Sequence, residues 1–483
     1  MKTRDYKFTR ISFENRRSFI KNSVAAAIAS SFAFRSFAQD KTSAPVFPIA
    51  TTLKGDFTLA TVGDMIATHS ILNEIQRTSP QLLDLLKADA TFGNFEDTVV
   101  DLNTFKGYPE ALSGGGWLLS STQVPADLKA MGIDLVSHAN NHATDWGVAG
   151  LLETDRRLSE AGLVHAGSGQ SLTSARAPAY YEAKTGRVAL IAMTAHFTEM
   201  EPAQDGAGNI NARPGINPLR YEMFVTVPAE QFQQLAAIRD MEPEKASKDK
   251  DNIVTLYGTK YMKAAPGQTA LGQHYKLNEK DEKDILRNIR QGKEAADFVI
   301  ASAHVHEPGN YSSTPPDFLP VVAHDALDAG ADVFVGHGPH RLRGIEIYKG
   351  KPIFYSLGDF IYMSHSREAI SPQEYEDMKP DPREMTPAEI MQKRMLKDFN
   401  DSVWYESVIA RSHYRDGILT EIELHPVELG WDGPLSQRGV PKIAPPKTAQ
   451  HILDKLQKLS QPFGTQIEVR DNVGIIKINP ATK

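Results

Sequence analysis

Phe57-Thr58-Leu59-Ala60-Thr61-Val62-Gly63-Asp64 reads as a β-strand that stops on a Gly-Asp turn, and the apolar spacing from Ile71 to Ala88 behind it reads as a helix. The same unit of strand, polar turn and helix recurs along the chain. Leu128 to Met131 is helical before the strand-like Ile133 to Ser137, and Val148 to Ala161 is helical before the continuous apolar strand Val188 to Met193. Asp281 to Ala296 reads as a helix before Phe298 to Ser302, and His324 to Ala329 as a helix before Asp332 to Val335. Alternation of this kind predicts an α/β domain with a mostly parallel sheet covered by helices on its faces.

Two hairpins follow. Ile345 to Ile347 with Ile353 to Tyr355 turns at Lys349-Gly350, and Val408 to Tyr414 with Leu419 to Leu424 turns at Asp416-Gly417. They suggest a second sheet beside the first. Residues 200–278 lack clean periodicity, carry the charged run Glu242 to Asp251, and read as a surface insertion with local helices; Ser364 to Asn400 is similar, and either can cover a site. The tail reads as a helix from Ala449 to Leu459, a turn with Gly464 and a short β pair, Gln466 to Val469 and Gly474 to Ile478. The expected organisation is a signal at 1–38, a linker at 39–55, a domain at 56–430 with insertions near 200–278 and 364–400, and an extension at 431–483 packing on that domain.

A chain of 483 residues with 41% hydrophobic and 23% charged residues can bury a sizeable core, and a net charge of -7 gives no basic excess to attract nucleic acid. There is no cysteine, so thiolate nucleophiles and sulfur-bound metals are excluded, and a metal must use His, Asp, Glu or Asn. Asn15-Arg16-Arg17-Ser18-Phe19-Ile20-Lys21, the weakly apolar stretch Val24 to Phe34 and the small-x-small Ser36-Phe37-Ala38 have the order of a twin-arginine export signal. Export places the protein in the periplasm or outside the cell. Cleavage after Ala38 would release it, and an uncleaved signal would tether it to the membrane. No later segment approaches the roughly 20 apolar residues of a spanning helix.

Polar residues fall at the strand ends. Asp64 ends the first strand; Asn94 and Glu96 lie in Gly93-Asn94-Phe95-Glu96; Asn140, Asn141, His142 and Asp145 follow Ser137; His304 and His306 follow Ser302; His337 and His340 follow Val335. Open α/β sheets bind ligands at the carboxyl ends of their strands, so five segments distant in sequence converge there. Imidazoles, carboxylates and amide oxygens suit zinc, manganese or iron, and more ligands than one ion uses point to two ions bridged by a carboxylate and a water. Taken singly, a Gly-Asp after a strand is usually a turn and a His-x-His usually a surface or core pair. Gly336-His337-Gly338-Pro339-His340 is more specific, because two imidazoles on a loop shaped by Gly and Pro serve little purpose in packing. Gly114-Gly115-Gly116 lacks the Lys-Ser/Thr of a phosphate loop, and no Gly-x-Ser-x-Gly elbow occurs. His69, His165, His196, His365 and His413 have no partner by spacing and read as structural or surface residues.

Val62-Gly63-Asp64, Gly93-Asn94-Phe95-Glu96, Ser137-His138-Ala139-Asn140-Asn141-His142-Ala143-Thr144-Asp145-Trp146-Gly147, Gly330-Ala331-Asp332, Gly336 to His340 and Tyr355-Ser356-Leu357-Gly358-Asp359-Phe360 resemble the bacterial CapA family of poly-gamma-glutamate capsule synthesis proteins. That family is similar to the calcineurin-like metallophosphoesterases, and the resemblance implies a four-layered α/β/β/α sandwich with a dinuclear centre. By matched position it implies Asp64 and His340 on a first ion, Glu96 or Asn94 as the bridge, and Asn141, His304 and His337 on a second. His142 with Asp145 would face the substrate, with His138 and His306 supporting the ligands. Two positions depart from the phosphoesterase pattern: Ile66 stands where a histidine is usual, and Gly-His-x-His has become Gly-His-x-x-His. The fourth cluster, His304-Val305-His306-Glu307-Pro308, also differs from the His-Trp-Gly of capsule members. The implied function is an exported metal-dependent hydrolase of a gamma-glutamyl polymer or a phosphate ester, with an anionic polymer or small molecule as substrate and a membrane capsule-synthesis partner. A non-catalytic polymer-binding scaffold is the other reading.

Overall fold

A computed structural model describes residues 51–111, 116–242, 252–378, 384–398 and 401–478. The twin-arginine pattern, Gly114, Gly115 and most of the Glu242–Asp251 run lie outside them. The expected strands are present, but they are shared between two sheets. In the first, Asp56–Ile66 pairs in parallel with Ala90–Phe95, which pairs with Leu135–Ser137, which pairs with Val164–Ala166. In the second, Gly186–Thr194, Phe298–His304, Val333–His337 and Lys351–Phe354 run parallel in that order. Each hairpin then finishes a different sheet: Glu406–Arg415 with Ile418–Glu428 lies antiparallel to Asp56–Ile66, and Ile345–Tyr348 pairs with Lys351–Phe354 in the other. The expectation of one parallel sheet with a separate hairpin sheet is corrected accordingly. An apolar strand buried on both faces carries no mark of which sheet it joins.

Burial alternates along these strands. In Gly186–Thr194, Val188, Leu190 and Ala192 belong to one apolar cluster and Ala189, Ile191 and Met193 to another, the period of two that a pleated strand imposes. The first cluster is common to both sheets, since it also holds Leu59, Phe92 and Leu135 from one and Ile300, Val333 and Val335 from the other. The second packs against Ile285 and Ile289 of helix Glu279–Ala295 and Leu319 and Val322 of helix Phe318–Asp328. A third joins Val62, Phe95 and Val136 to Ile75, Leu82, Leu128 and Leu158 from four helices. The chain is thus a mixed α/β protein with helices packed on both sheets.

Local departures have local causes. The helix expected from Ile71 to Ala88 divides into Leu72–Thr78 and Pro80–Leu86, because Pro80 lacks an N–H and pushes Ser79 out of helical geometry, to ψ 57°. The described part of residues 200–278 holds a four-stranded sheet in the order Ile253–Leu256, Thr259–Lys263, Tyr221–Val227, Gly272–Leu277, with the helix Ala229–Arg239 beside it. The tail reads as expected. Helix Pro446–Ser460 adds Ala449, Ile452, Leu453 and Leu456 to the shared cluster, and Val473–Lys477 pairs with Ile418–Glu428. Among the described residues no helix is long and apolar enough to cross a membrane.

Candidate metal centre

Strand register brings the polar residues together. Asp64 lies opposite Asn94, Asn94 opposite Ser137, and in the second sheet His304 lies opposite His337. On Phe298–His304 the side chains of Phe298 and Ile300 enter the shared cluster, so by the period of two Ser302 and His304 continue that face; His337 does the same after Val333 and Val335. The imidazoles therefore arrive where the apolar cluster ends.

Asp64 is fully buried; its Oδ1 accepts from Asn94 Nδ2 at 2.7 Å and its Oδ2 from the Gly338 N–H at 2.9 Å. Only glycine fits position 338, where φ is 115° and an added Cβ would stand 2.9 Å from the Val305 nitrogen. His304 is central. Its Nδ1 is 2.9 Å from His337 Nδ1, and its Nε2 is 2.7 Å from Asn141 Oδ1, 2.8 Å from His306 Nε2 and 3.6 Å from Glu96 Oε1. His306 Nδ1 donates to Asn310 Oδ1 at 2.7 Å, which leaves Nε2 as the nitrogen turned towards His304 and Asn141. Likewise His337 Nε2 meets Ser302 Oγ at 2.7 Å and leaves Nδ1 towards Asp64, 3.6 Å away. Partners behind each ring that fix which nitrogen faces inward are the arrangement metal-binding histidines require.

The electrostatics point the same way. Burial, then neighbouring imidazoles, hold His304 and His306 well below the ordinary histidine range, and burial takes His337 down to about 4, so all three are neutral. Burial, then Asp64 and Asp359, push Glu96 well above the carboxylate range, and both its oxygens are buried without a partner. Burial raises Asp359 to about 7 even though His340 opposes it. Uncompensated buried carboxylates cost several kcal/mol each, and a cation among them reverses the sign of that contribution. Among the described residues three sets have the atoms to hold one: Asp64 with His304 and His337; Glu96 with His304 and His306; Asp64 with Glu96 and His340. The ligand atoms within each set lie within 4.8 Å of one another.

His340, at φ 52°, places Nδ1 2.8 Å from Asp359 Oδ1 and 4.0 Å from Asp64 Oδ2. Burial works against its charge, but Asp359 and Asp64 together raise it above the ordinary value. Asn140 braces the loop, donating to Phe95 O at 2.8 Å and accepting from the His142 N–H at 3.1 Å. His142 Nδ1 lies 2.7 Å from Asp145 Oδ2, which also accepts from the Leu118 N–H at 2.7 Å. Ile66, where the resemblance has a histidine, is buried in an apolar cluster. His138 is bound to Asp155 at 2.8 Å and Ser168 at 3.2 Å, which ties it to helix Gly147–Glu160. His306 stands among the inward-facing imidazoles and not behind them. Asp359 was missed from the sequence, although Gly358-Asp359 repeats the Gly63-Asp64 signal and the two aspartates are neighbours in a parallel pair.

Asp97, one residue beyond Glu96, is pushed up to about 8 by burial, which outweighs the Ala67 N–H it accepts at 2.6 Å. A carboxyl raised in the folded state contributes stability that is fully present below its unfolded value near 4 and is lost as pH rises through about 8. Asp97→Asn is therefore expected to shrink the fall in stability between pH 4 and 8, checked by denaturant melts across that range; an unchanged slope would reject the assignment.

A family model described as bacterial capsule synthesis protein PGA_cap matches residues 53–364. An uncharacterized protein of Sinorhizobium fredii is 42% identical over 441 residues, covering 89% of this chain and 95% of that protein. The PGA biosynthesis protein CapA of Bacillus subtilis is 26% identical over 275 residues, 57% of this chain and 53% of its own length. The capsule biosynthesis protein CapA of Bacillus anthracis is 26% identical over 326 residues, 66% of this chain and 62% of its own.

Proposed function

We propose, since this chain belongs to the bacterial capsule synthesis protein family PGA_cap, that it is an exported metal-dependent hydrolase acting on a gamma-linked glutamate polymer or a phosphate ester. The observation that carries the reading is Glu96, a fully buried carboxyl whose two oxygens have no hydrogen-bond donor in reach, among neutral imidazoles. Asp64, Glu96, His304, His306, His337 and His340, with Asn94 and Asn141, would hold one or two ions of zinc, manganese or iron. When bound, such an ion lowers the pKa of water and polarises the scissile bond. The chain's own residues do the rest. Asp145 holds His142 by Nδ1 and leaves Nε2 as the nitrogen that delivers a proton to the leaving group. Apolar clusters on both faces of each sheet fix the strand ends, and support the four-layered α/β/β/α order as part of this reading. Export by the twin-arginine route and a membrane capsule-synthesis partner complete it.

The test is elemental analysis of protein purified without chelator, beside His337→Ala, followed by a screen of phosphate esters and gamma-glutamyl polymers. About two transition-metal equivalents, reduced in the variant and accompanied by hydrolysis, are expected for a dinuclear site. Protein that takes up no metal after reconstitution would sink the mechanism and leave a polymer-binding scaffold.

A further inference from the structure

His196, without a partner by spacing, has one by folding. It follows strand Gly186–Thr194, whose Thr194 lies opposite His304, and the Ala195 N–H donates to His304 O at 2.9 Å. The same segment is stitched down by Thr194 Oγ1, which accepts from the His196 N–H at 3.2 Å. The His196 ring lies against His306, with centroids 4.4 Å apart, and its Nδ1 is 3.0 Å from Glu307 Oε1. That oxygen also accepts from Tyr221 OH at 2.6 Å, and Arg343 Nη2 donates to the Glu307 carbonyl at 2.7 Å. Glu307 and Arg343 are buried, whereas the His196 side chain is 42% exposed. A buried glutamate pinned at carboxylate and carbonyl thus holds a ring that solvent and ligands reach. With Nδ1 turned to Glu307, Nε2 is the nitrogen left for a ligand.

We propose that His196 is a substrate-positioning residue which, with Nδ1–H held by Glu307, donates its Nε2–H in the doubly protonated form to an anionic oxygen, carboxylate or phosphate, beside the His304–His306 cluster, and that Glu307 and Tyr221 orient it. This rests on the hydrolase reading for the identity of the neighbouring centre. It assigns a purpose to Glu307 of the His304-Val305-His306-Glu307 cluster and to the insertion at 200–278, which supplies Tyr221. The site is thereby built for an acidic substrate held on the side formed by the second sheet.

The test compares metal-loaded wild type with His196→Ala and Tyr221→Phe. Under turnover of whichever ester or gamma-glutamyl substrate is hydrolysed, KM is expected to rise about tenfold in His196→Ala, the scale of one hydrogen bond to a charged group, with kcat changed less. Tyr221→Phe is expected to move KM in the same direction by a smaller factor, with metal content unchanged in both. Calorimetric binding of inorganic phosphate to the same proteins separates this inference from the hydrolase reading. Phosphate affinity that falls about tenfold in His196→Ala, in a protein that hydrolyses nothing, would sink the hydrolase reading and keep His196 as an anion contact. Equal KM and equal phosphate affinity would overturn it, as would a loss of metal from His196→Ala or a wild type that neither turns over nor binds phosphate.

Discussion

His304→Ala is expected to remove the metal-dependent stability of the protein together with any hydrolytic activity. The two ring nitrogens of His304 meet His337, Asn141, His306, Asn94, Glu96 and Asp64 within 4 Å. Two of the three sets that can hold an ion contain it. Removing an outer partner of a metal ligand commonly costs 10–100-fold in affinity or activity, so deleting a shared ligand is expected to lower kcat/KM by more than about 100-fold. A ligand that binds only the folded state at a hundredfold excess over its Kd adds about 2.7 kcal/mol. The decisive measurement is the rise in melting temperature on adding zinc or manganese after chelator treatment. Wild type is expected to show that rise and His304→Ala to lose most of it. Because each protein is compared with its own metal-free form, the cavity left by the imidazole cancels. An equal rise in both proteins would place the cation elsewhere and break the argument for these sets.

The convergence of Asp64, Asn94, Asn141, His304 and His337 was legible because each is tied to a strand end, and strand ends can be read from apolar runs that stop on Gly, Asn or His. Topology was less legible. Val188 to Met193 and Phe57 to Val62 both read as buried strands, yet they belong to different sheets, and only long-range pairing decides which. The strand Tyr221–Val227 alternates weakly and sits on an insertion sheet, so its tyrosine could not be placed beside Glu307 by any local pattern. His196 and Glu307 are 111 residues apart, and their pairing depends on Thr194 lying opposite His304. Asp359 carries the same Gly-Asp signal as Asp64, and only its distance from Asp64 in the chain disguised the kinship.

That kinship supplies the second large effect, because Gly63→Ala is expected to unfold the centre from below. Gly63 stands so close to the segment leading into the paired strand that an added Cβ would lie 1.7 Å from Gly358 O and 2.8 Å from Gly358 C. Those atoms are backbone and cannot rotate away. Gly358 cannot retreat either: its own φ is 74°, and its far side is 2.6 Å, at a built Cβ, from Glu406 O. The contact exists so that the Asp64 N–H can donate to Gly358 O at 3.1 Å, which sets Asp64 beside Asp359 across the parallel pair. Forcing the strands apart would break that bond and draw Asp64 away from Asn94 and Gly338 together. Overpacking in a core typically costs 1–3 kcal/mol, and a backbone clash with no side chain to yield belongs at or beyond the upper end, about 3 kcal/mol or more. Chelator-treated Gly63→Ala is therefore expected to melt well below chelator-treated wild type, a loss of stability that metal cannot explain. It is also expected to bind less metal when reconstituted. A variant with wild-type melting and full metal content would show that the two Gly-Asp strands can separate without harm, and that the close approach is incidental to how Asp64 is held.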